Sequence, residues 1–341
     1  MSPHVPPRRI LMLGATGSIG RATVRALVAA GYDIVCFVRP QRPGSSSPRA
    51  RTLATDAARN ELTQSGVEFR EGDVQDSASV VRDAFRGERF DAVVSCMASR
   101  TGVPRDAWAI DHAAHRNVLT AAQDAGVPQM VLLSAICVQK PSLAFQHAKL
   151  AFEQALMASG LTWSIVRPTA FFKSLSGQVA RVQRGKPFLL FGDGALTACK
   201  PISDDDLAAY LVACLEDPAL QNRVLPIGGP GEALTPRQQG ELLFALAGKT
   251  PRYRRVPIAL LDTIIGVCSA LGRLVPSLAD KAELARIGRY YATESMLLWD
   301  PAAGRYDAAA TPSTGTETLA DHYAKMLRGE VRDDRGDHAV F

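Results

Sequence analysis

The chain has 341 residues, 47% hydrophobic and 21% charged, with a net charge of +5 from 39 basic and 34 acidic residues. This composition excludes disorder, and the absence of a dense Lys/Arg stretch with interleaved aromatics argues against a nucleic-acid partner. The length suits a large nucleotide-binding domain with a smaller appendage, and the mild positive balance suits an anionic ligand.

Along the chain, Met1–Arg9 carries no apolar signal core. Short apolar runs at Ile10–Leu13, Ile34–Val38, Val67–Phe69, Ala92–Val94, Met130–Leu133 and Trp163–Val166 read as buried strands. Between them, Ile19–Ala30, Ala78–Phe85, Ala114–Ala125 and Leu143–Ala158 have helical patterning. Alternating strands and helices imply βαβ units, so the expected fold is α/β: a Rossmann-type, doubly wound, mostly parallel sheet with a smaller C-terminal substrate region. Pro40–Pro48 reads as a loop. The rhythm breaks after Arg167-Pro168; Ile202–Leu215 reads as a helix capped by Ser203, and Ala259–Leu274 and Ala279–Tyr291 as two further helices. The expected division is 1–167 for nucleotide binding, 168–328 for a substrate region with segments returning to the sheet, and 329–341 as a mobile tail.

The longest apolar stretch, Val256–Leu271, is interrupted by Pro257, Asp262 and Gly266 and is too short to span a bilayer, which takes ~20 residues. The protein core is its favoured surroundings, with peripheral membrane association left as the alternative. The six cysteines, Cys36, Cys96, Cys137, Cys199, Cys214 and Cys268, are scattered without metal-ligand or redox-motif spacing. They point to no metal site and to a reduced, cytoplasmic protein.

The strongest local signal is Gly14-Ala15-Thr16-Gly17-Ser18-Ile19-Gly20, directly after a strand and opening a helix. Gly14 permits the turn, Gly17 lets the backbone approach a pyrophosphate, and Gly20 lets the helix pack against the sheet. Arg39 closes the second strand where an NAD site would carry an acid; its guanidinium suits a 2′-phosphate, with Arg42 nearby, and so selects NADPH. Asp73 after the third strand can accept from the adenine amino group or serve only as a turn residue.

The glycine spacing resembles the short-chain dehydrogenase/reductase superfamily, particularly its extended and atypical branches. Ser134 matches that superfamily's active-site serine and Lys149 the lysine of its Tyr-x-x-x-Lys pair, but Phe145 stands at the tyrosine position. Phenylalanine cannot exchange a proton with a substrate oxygen, so alcohol–ketone chemistry loses its support. Three stretches, Leu133–Pro141, Phe145–Leu150 and Val166–Leu175, with Phe191-Gly192-Asp193-Gly194 and Ala198–Ser203, resemble the NADPH-dependent divinyl chlorophyllide 8-vinyl reductases of chlorophyll and bacteriochlorophyll synthesis. The resemblance runs from about Arg9 to about Arg328 and implies reduction of a C8 vinyl group on a tetrapyrrole, divinyl chlorophyllide or protochlorophyllide. The rival readings are a non-catalytic NADPH-binding regulator or assembly subunit, and a reductase of another conjugated double bond.

The cofactor set expected on this basis is Gly14, Thr16, Gly17, Ser18, Ile19, Gly20, Arg39, Asp73, Ser95, Lys149, Arg167 and Pro168. Lys149, Ser134 and His147 are the catalytic candidates, and Lys149 is favoured as a ligand of the nicotinamide ribose. Phe145, Phe171, Phe172 and Lys173 are expected toward the substrate, and Lys173 and Lys200 are further candidates for a proton or a propionate.

Overall fold

Strand β1 (Arg9–Leu13) alternates between two apolar layers: Ile10 and Met12 enter one, Leu11 and Leu13 the other. A strand buried on both faces needs helices on both sides and parallel neighbours. The computed structural model describes residues 8–40, 59–60, 62–63 and 66–331, so Arg42 and most of the expected loop and tail lie outside the described residues. β1 pairs in parallel with β2 (Asp33–Val38), and β2 with β3 (Glu68–Glu71). On the other side β1 pairs with β4 (Ala92–Ser95), followed by β5 (Gln129–Leu133) and β6 (Thr162–Pro168). β7 (Phe188–Phe191) leaves the sheet, and β8 (Arg223–Ile227) returns to its edge beside β6. The seven-stranded order is β3-β2-β1-β4-β5-β6-β8, all parallel. This is the expected Rossmann-type sheet, and its order reverses between β1 and β4, where such sheets open a ligand crevice.

The helices cover both faces. They are α1 (Ser18–Ala29), α2 (Ser77–Ser79 running into a π-helical stretch Val80–Phe85), α3 (Pro104–Ala107, π-helical Trp108–Ala114 and His115–Asp124), α4 (Ala144–Met157) and α5 (Asp204–Glu216). Val24 and Leu27 of α1 join Leu207 and Leu211 of α5 in the layer of Ile10 and Met12. Phe85, Val118, Leu119 and Phe152 from α2, α3 and α4 join Leu11 and Leu13 in the other. Ser203 caps α5 by accepting from the Asp206 N–H at 3.0 Å, as its position foretold.

Beyond the sheet, β7 pairs in parallel with β9 (Tyr253–Val256), and α6 (Pro236–Leu246) and α9 (Leu319–Leu327) close a separate core of Phe172, Phe188, Leu190, Phe244 and Tyr323. α7 (Ile258–Gly272) and α8 (Pro276–Thr293) form a helical hairpin, followed by the small antiparallel pair β10 (Leu298–Asp300) and β11 (Arg305–Asp307). The placement of 256–271 in the core is corrected here: no residue of α7 is buried. α7 packs mainly on α8. Hydrophobicity expresses a preference for burial, not the presence of a partner.

Gly20 has a different role from the one expected. A Cβ there would overlap the Gly14 carbonyl oxygen and sit 2.8 Å from its carbon, so the glycine lets α1 close on the loop rather than on the sheet. At Gly17 the nearest atom to an added Cβ is the Gly14 oxygen at an ordinary 3.5 Å. Gly20→Ala is therefore expected to destabilise the fold by about 1–3 kcal/mol through overpacking against backbone. Gly17→Ala should stay within about 0.5 kcal/mol of wild type. Thermal melts of the two variants check this, and coincident midpoints would refute it.

Candidate active site

The crevice begins at the glycine loop. Gly14 sits at φ +75°, and a Cβ would lie 2.6 Å from the Cys96 carbonyl carbon and the Met97 nitrogen, so the loops after β1 and β4 touch through it. Gly17 is the extended N-cap of α1 and supplies no side-chain cap, which leaves first-turn N–H groups for an outside acceptor. The protein leaves room for a side chain at Gly17, so the demand for glycine comes from outside the chain. Close approach of a dinucleotide pyrophosphate fits it. Thr16 and Ser18 flank it half-buried, while the Ile19 side chain is buried and only its backbone can serve a ligand. Arg39 is exposed just beyond β2. Asp73 is exposed beyond β3, with its Oδ1 accepting from the Gln75 N–H at 2.9 Å in a local turn. Asp204, which the sequence reading missed, opens α5 against this loop; burial raises its carboxyl above the ordinary range, opposed by Lys173 and a bond from Ser18.

Beneath the crevice lies a layer of buried polar groups that the sequence reading only half found. Glu153 on α4 is 0% exposed. Arg167 of β6 donates to both its oxygens, Nε to Oε1 at 3.2 Å and Nη2 to Oε2, and the Ser134 hydroxyl donates to Oε1 at 2.5 Å. One turn earlier on α4, the Lys149 ammonium meets Asp111 Oδ1 at 2.9 Å, where the Ser99 N–H also donates at 3.1 Å. Burial would raise the Asp111 carboxyl, but the Lys149 ammonium and the Ser99 bonds outweigh it and hold it below the ordinary value. Asp111 Oδ2 is buried with no hydrogen-bond partner, and Asp111, His115, Ser134 and Lys149 line one small void. His115 Nδ1 lies 2.8 Å from the Ile110 carbonyl, which can only accept, so the ring's Nε2 takes the Ser95 hydroxyl proton at 2.9 Å.

These contacts revise several expectations. Ser95 is fully buried and bonded to His115, so its side chain does not open to a cofactor. The Ser134 hydroxyl proton is engaged by Glu153 and is unavailable to a substrate in this arrangement. His147 is exposed and stands about 200° around α4 from Lys149, on the side away from Asp111. Arg167, expected toward the cofactor, grips Glu153, and Pro168 is buried at the end of β6. Phe172 belongs to the C-terminal core, with its ring 5.1 Å from that of His322, and not to a pocket. Phe171 is half-buried against the sheet layer and Lys173 half-buried near Asp204. Lys200 donates to the Thr311 carbonyl at 2.9 Å and to Ser313 Oγ at 3.1 Å, a structural tie. Phe145 is buried with Ile136, Cys137, Ile287 and Tyr290, where α8 closes over α4. Asp111 and Glu153 carried one signal in the sequence: acids inside apolar helical runs, which are rarely buried unless paired.

A family model described as NAD(P)H-binding matches residues 14–218. The divinyl chlorophyllide a 8-vinyl-reductase of Oryza sativa subsp. indica is 46% identical over 338 residues, 97% of this chain and 82% of that protein. Its Cucumis sativus counterpart is 47% identical over 97% of this chain and 79% of its own length. The chain belongs to the divinyl chlorophyllide a 8-vinyl-reductase family. AtPrR2, solved with NADP+ and (+)pinoresinol, shares the fold at 18% identity, with a TM-score of 0.67 over 94% of this chain and 99% of that one. The expectation of a cytoplasmic protein is corrected by the relatives in this family, which are named chloroplastic. Scattered, unpaired cysteines do not distinguish one compartment from another.

In this vinyl-reductase fold, burial lowers the His115 pKa from 6.5 to about 4. The unfolded chain therefore binds a proton that the native one refuses in that interval, and stability falls as pH drops from 6.5 toward 4. The contribution lost is about 3 kcal/mol, and it is fully present above the upper value. Denaturant melts across this range should show a shallower acid-side slope for His115→Gln than for wild type. Parallel slopes would refute the assignment.

Proposed function

We propose that this protein reduces the C8 vinyl group of a divinyl chlorophyllide or protochlorophyllide to ethyl with NADPH. The observation that carries it is the 46% identity to a named vinyl reductase over 97% of the chain. The glycine loop and Arg39 suit a phosphorylated dinucleotide, and the reading assigns them, with Asp73, to hold it. NADPH, when bound, would supply a hydride to the vinyl group; the conjugated macrocycle would take up the resulting charge, and a proton from water would complete the ethyl group. No oxyanion needs a phenol donor there, which is why Phe145 is tolerated at the superfamily's tyrosine position. Lys149 holds the nicotinamide ribose, with Asp111 fixing its ammonium, and Ser134 braces Glu153. The region 168–328 supplies the substrate side, with Phe171 and Lys173 as its nearest candidates. The protein associates with a membrane peripherally; among the described residues no helix is long and apolar enough to cross one.

The test is spectroscopic. Divinyl protochlorophyllide mixed with the protein and NADPH should shift its absorption while NADPH is consumed in equal amount. NADPH binding without turnover would replace the reductase with a regulator. Phe145→Tyr should leave the vinyl reduction rate at or below wild type, because no step uses the new hydroxyl. A large gain would refute the reading that the proton comes from water and not from a side chain at this position.

Cofactor choice gives a separate expectation. Arg39→Asp should weaken NADPH roughly 10- to 100-fold relative to NADH, as for the loss of a charge-assisted contact to phosphate. Titration with both cofactors measures this, and an unchanged preference would remove Arg39 from the site.

A further inference from the structure

We propose that the α7–α8 hairpin docks this protein on an anionic lipid surface, with the outer face of α7 lying in the plane of the headgroups. This deepens the proposed reading of a pigment reductase with peripheral membrane contact and depends on it for the substrate's apolar character. Leu260, Ile264, Val267 and Leu271 recur at helical spacing along α7 and are 38–53% exposed. The stripe continues into the turn with Leu274, 83% exposed, and Val275. Four apolar side chains on one helical face with nothing packed over them form a patch of the kind that marks an interaction surface.

The polar groups of the hairpin are arranged to leave that stripe free. Arg289 pairs with Asp262 at 2.5 Å and Arg286 donates to Ser269 Oγ at 2.7 Å, so α7 is stapled to α8 along its inner side. The other face of α8 is anchored in the body: Ile287 and Tyr290 pack with Phe145, and the Tyr290 hydroxyl donates to the Cys137 carbonyl at 2.9 Å. The hairpin is therefore a fixed extension of the rim of the active site.

Charge selects the occupant. Residues 252–281 hold five basic side chains, Arg252, Arg254, Arg255, Arg273 and Lys281, against two acids, and Asp262 is already neutralised by Arg289. The basic groups flank both ends of the stripe and are exposed. A two-fold contact between copies would set like charges against each other, because each copy presents the same patch. A surface of anionic headgroups complements it, with the apolar stripe entering between them. A helix of 15 residues is about 22 Å long and suits a position along the interface rather than across it. The docked hairpin brings Phe145 and the crevice beside the interface where a flat, apolar pigment collects.

Flotation with vesicles decides the matter. The full chain should float with phosphatidylcholine–phosphatidylglycerol vesicles, less so as salt rises, and not with phosphatidylcholine alone. Val267→Glu with Leu271→Glu should abolish flotation. Arg254→Ser with Arg255→Ser should lower partitioning about fivefold per charge removed. Both variants should keep wild-type turnover of detergent-solubilised divinyl protochlorophyllide, so absent turnover in the wild type would sink the reductase reading and leave the docking result standing. Wild type that stays at the bottom with the mixed vesicles overturns the proposal, as does a Glu variant that floats normally. A dimer in sedimentation velocity that the Glu variant dissolves, without lipid binding, assigns the stripe to a second copy instead.

Discussion

The structure around the crevice depends on one buried charge. Glu153 has no solvent to stabilise its carboxylate, so its charge must be met by protein groups. Arg167 comes from β6, and Ser134 from the end of β5. That requirement fixes α4 against the carboxyl ends of two neighbouring strands. Lys149, one turn earlier on the same helix, then pairs with Asp111 of α3 in the same buried layer. Removing Arg167 would leave the Glu153 carboxylate uncompensated in a dry place, which costs far more than the pair contributes.

This arrangement explains what the sequence disclosed and what it hid. The parallel sheet was legible because β1, β2, β4 and β5 are largely apolar runs, whereas β3, Glu68-Phe69-Arg70-Glu71, was marked only by Val67 and Phe69; the glycine loop was legible because its three glycines follow a strand. Lys149 was marked only by a resemblance, four residues after Phe145 at the superfamily's tyrosine position. The partners of these residues were not legible, because pairing is tertiary. Lys149 and Glu153 stand at i and i+4, and sequence spacing suggests that they bond each other. Instead each turns to an ion delivered by another element. Ser95 and Ser134 illustrate the same limit: a serine at a strand end in a Rossmann sheet reads as a ligand contact, and only the fold shows that His115 and Glu153 already hold them. The π-helical stretch in α3 adds to this, since it carries Asp111 at a position that an α-helical wheel misplaces.

Phe145 was read both as a missing hydroxyl and as a residue facing the substrate, and the structure gives it a packing role. Its ring joins Ile287 and Tyr290, so it forms the seam between the nucleotide-binding layer and α8. A tyrosine at this point would bring a hydroxyl toward an apolar seam, where it would need a partner. Loss of the proton donor and gain of a helical roof therefore belong together. A reaction that leaves charge on a conjugated ring does not call on that donor, and an apolar roof suits a flat, apolar substrate.

The misreading of α7 has the same root as its interest. Its composition is that of a core helix, yet α8 covers only one side and polar staples hold it there. An apolar helix left half covered carries a free-energy cost in water of roughly 25 cal/mol per Å² of exposed apolar surface. Folding did not remove this cost, although α8 shows that the chain can cover a helix on the inner side. Exposed basic residues, Arg254 and Arg255 before the helix and Arg273 after it, stand at both of its ends. An exposed apolar stripe with basic residues at both ends suits an external surface of opposite charge. On this account the hairpin's placement and the site's apolar roof answer the same constraint: a substrate poorly held by water has to be met where it resides.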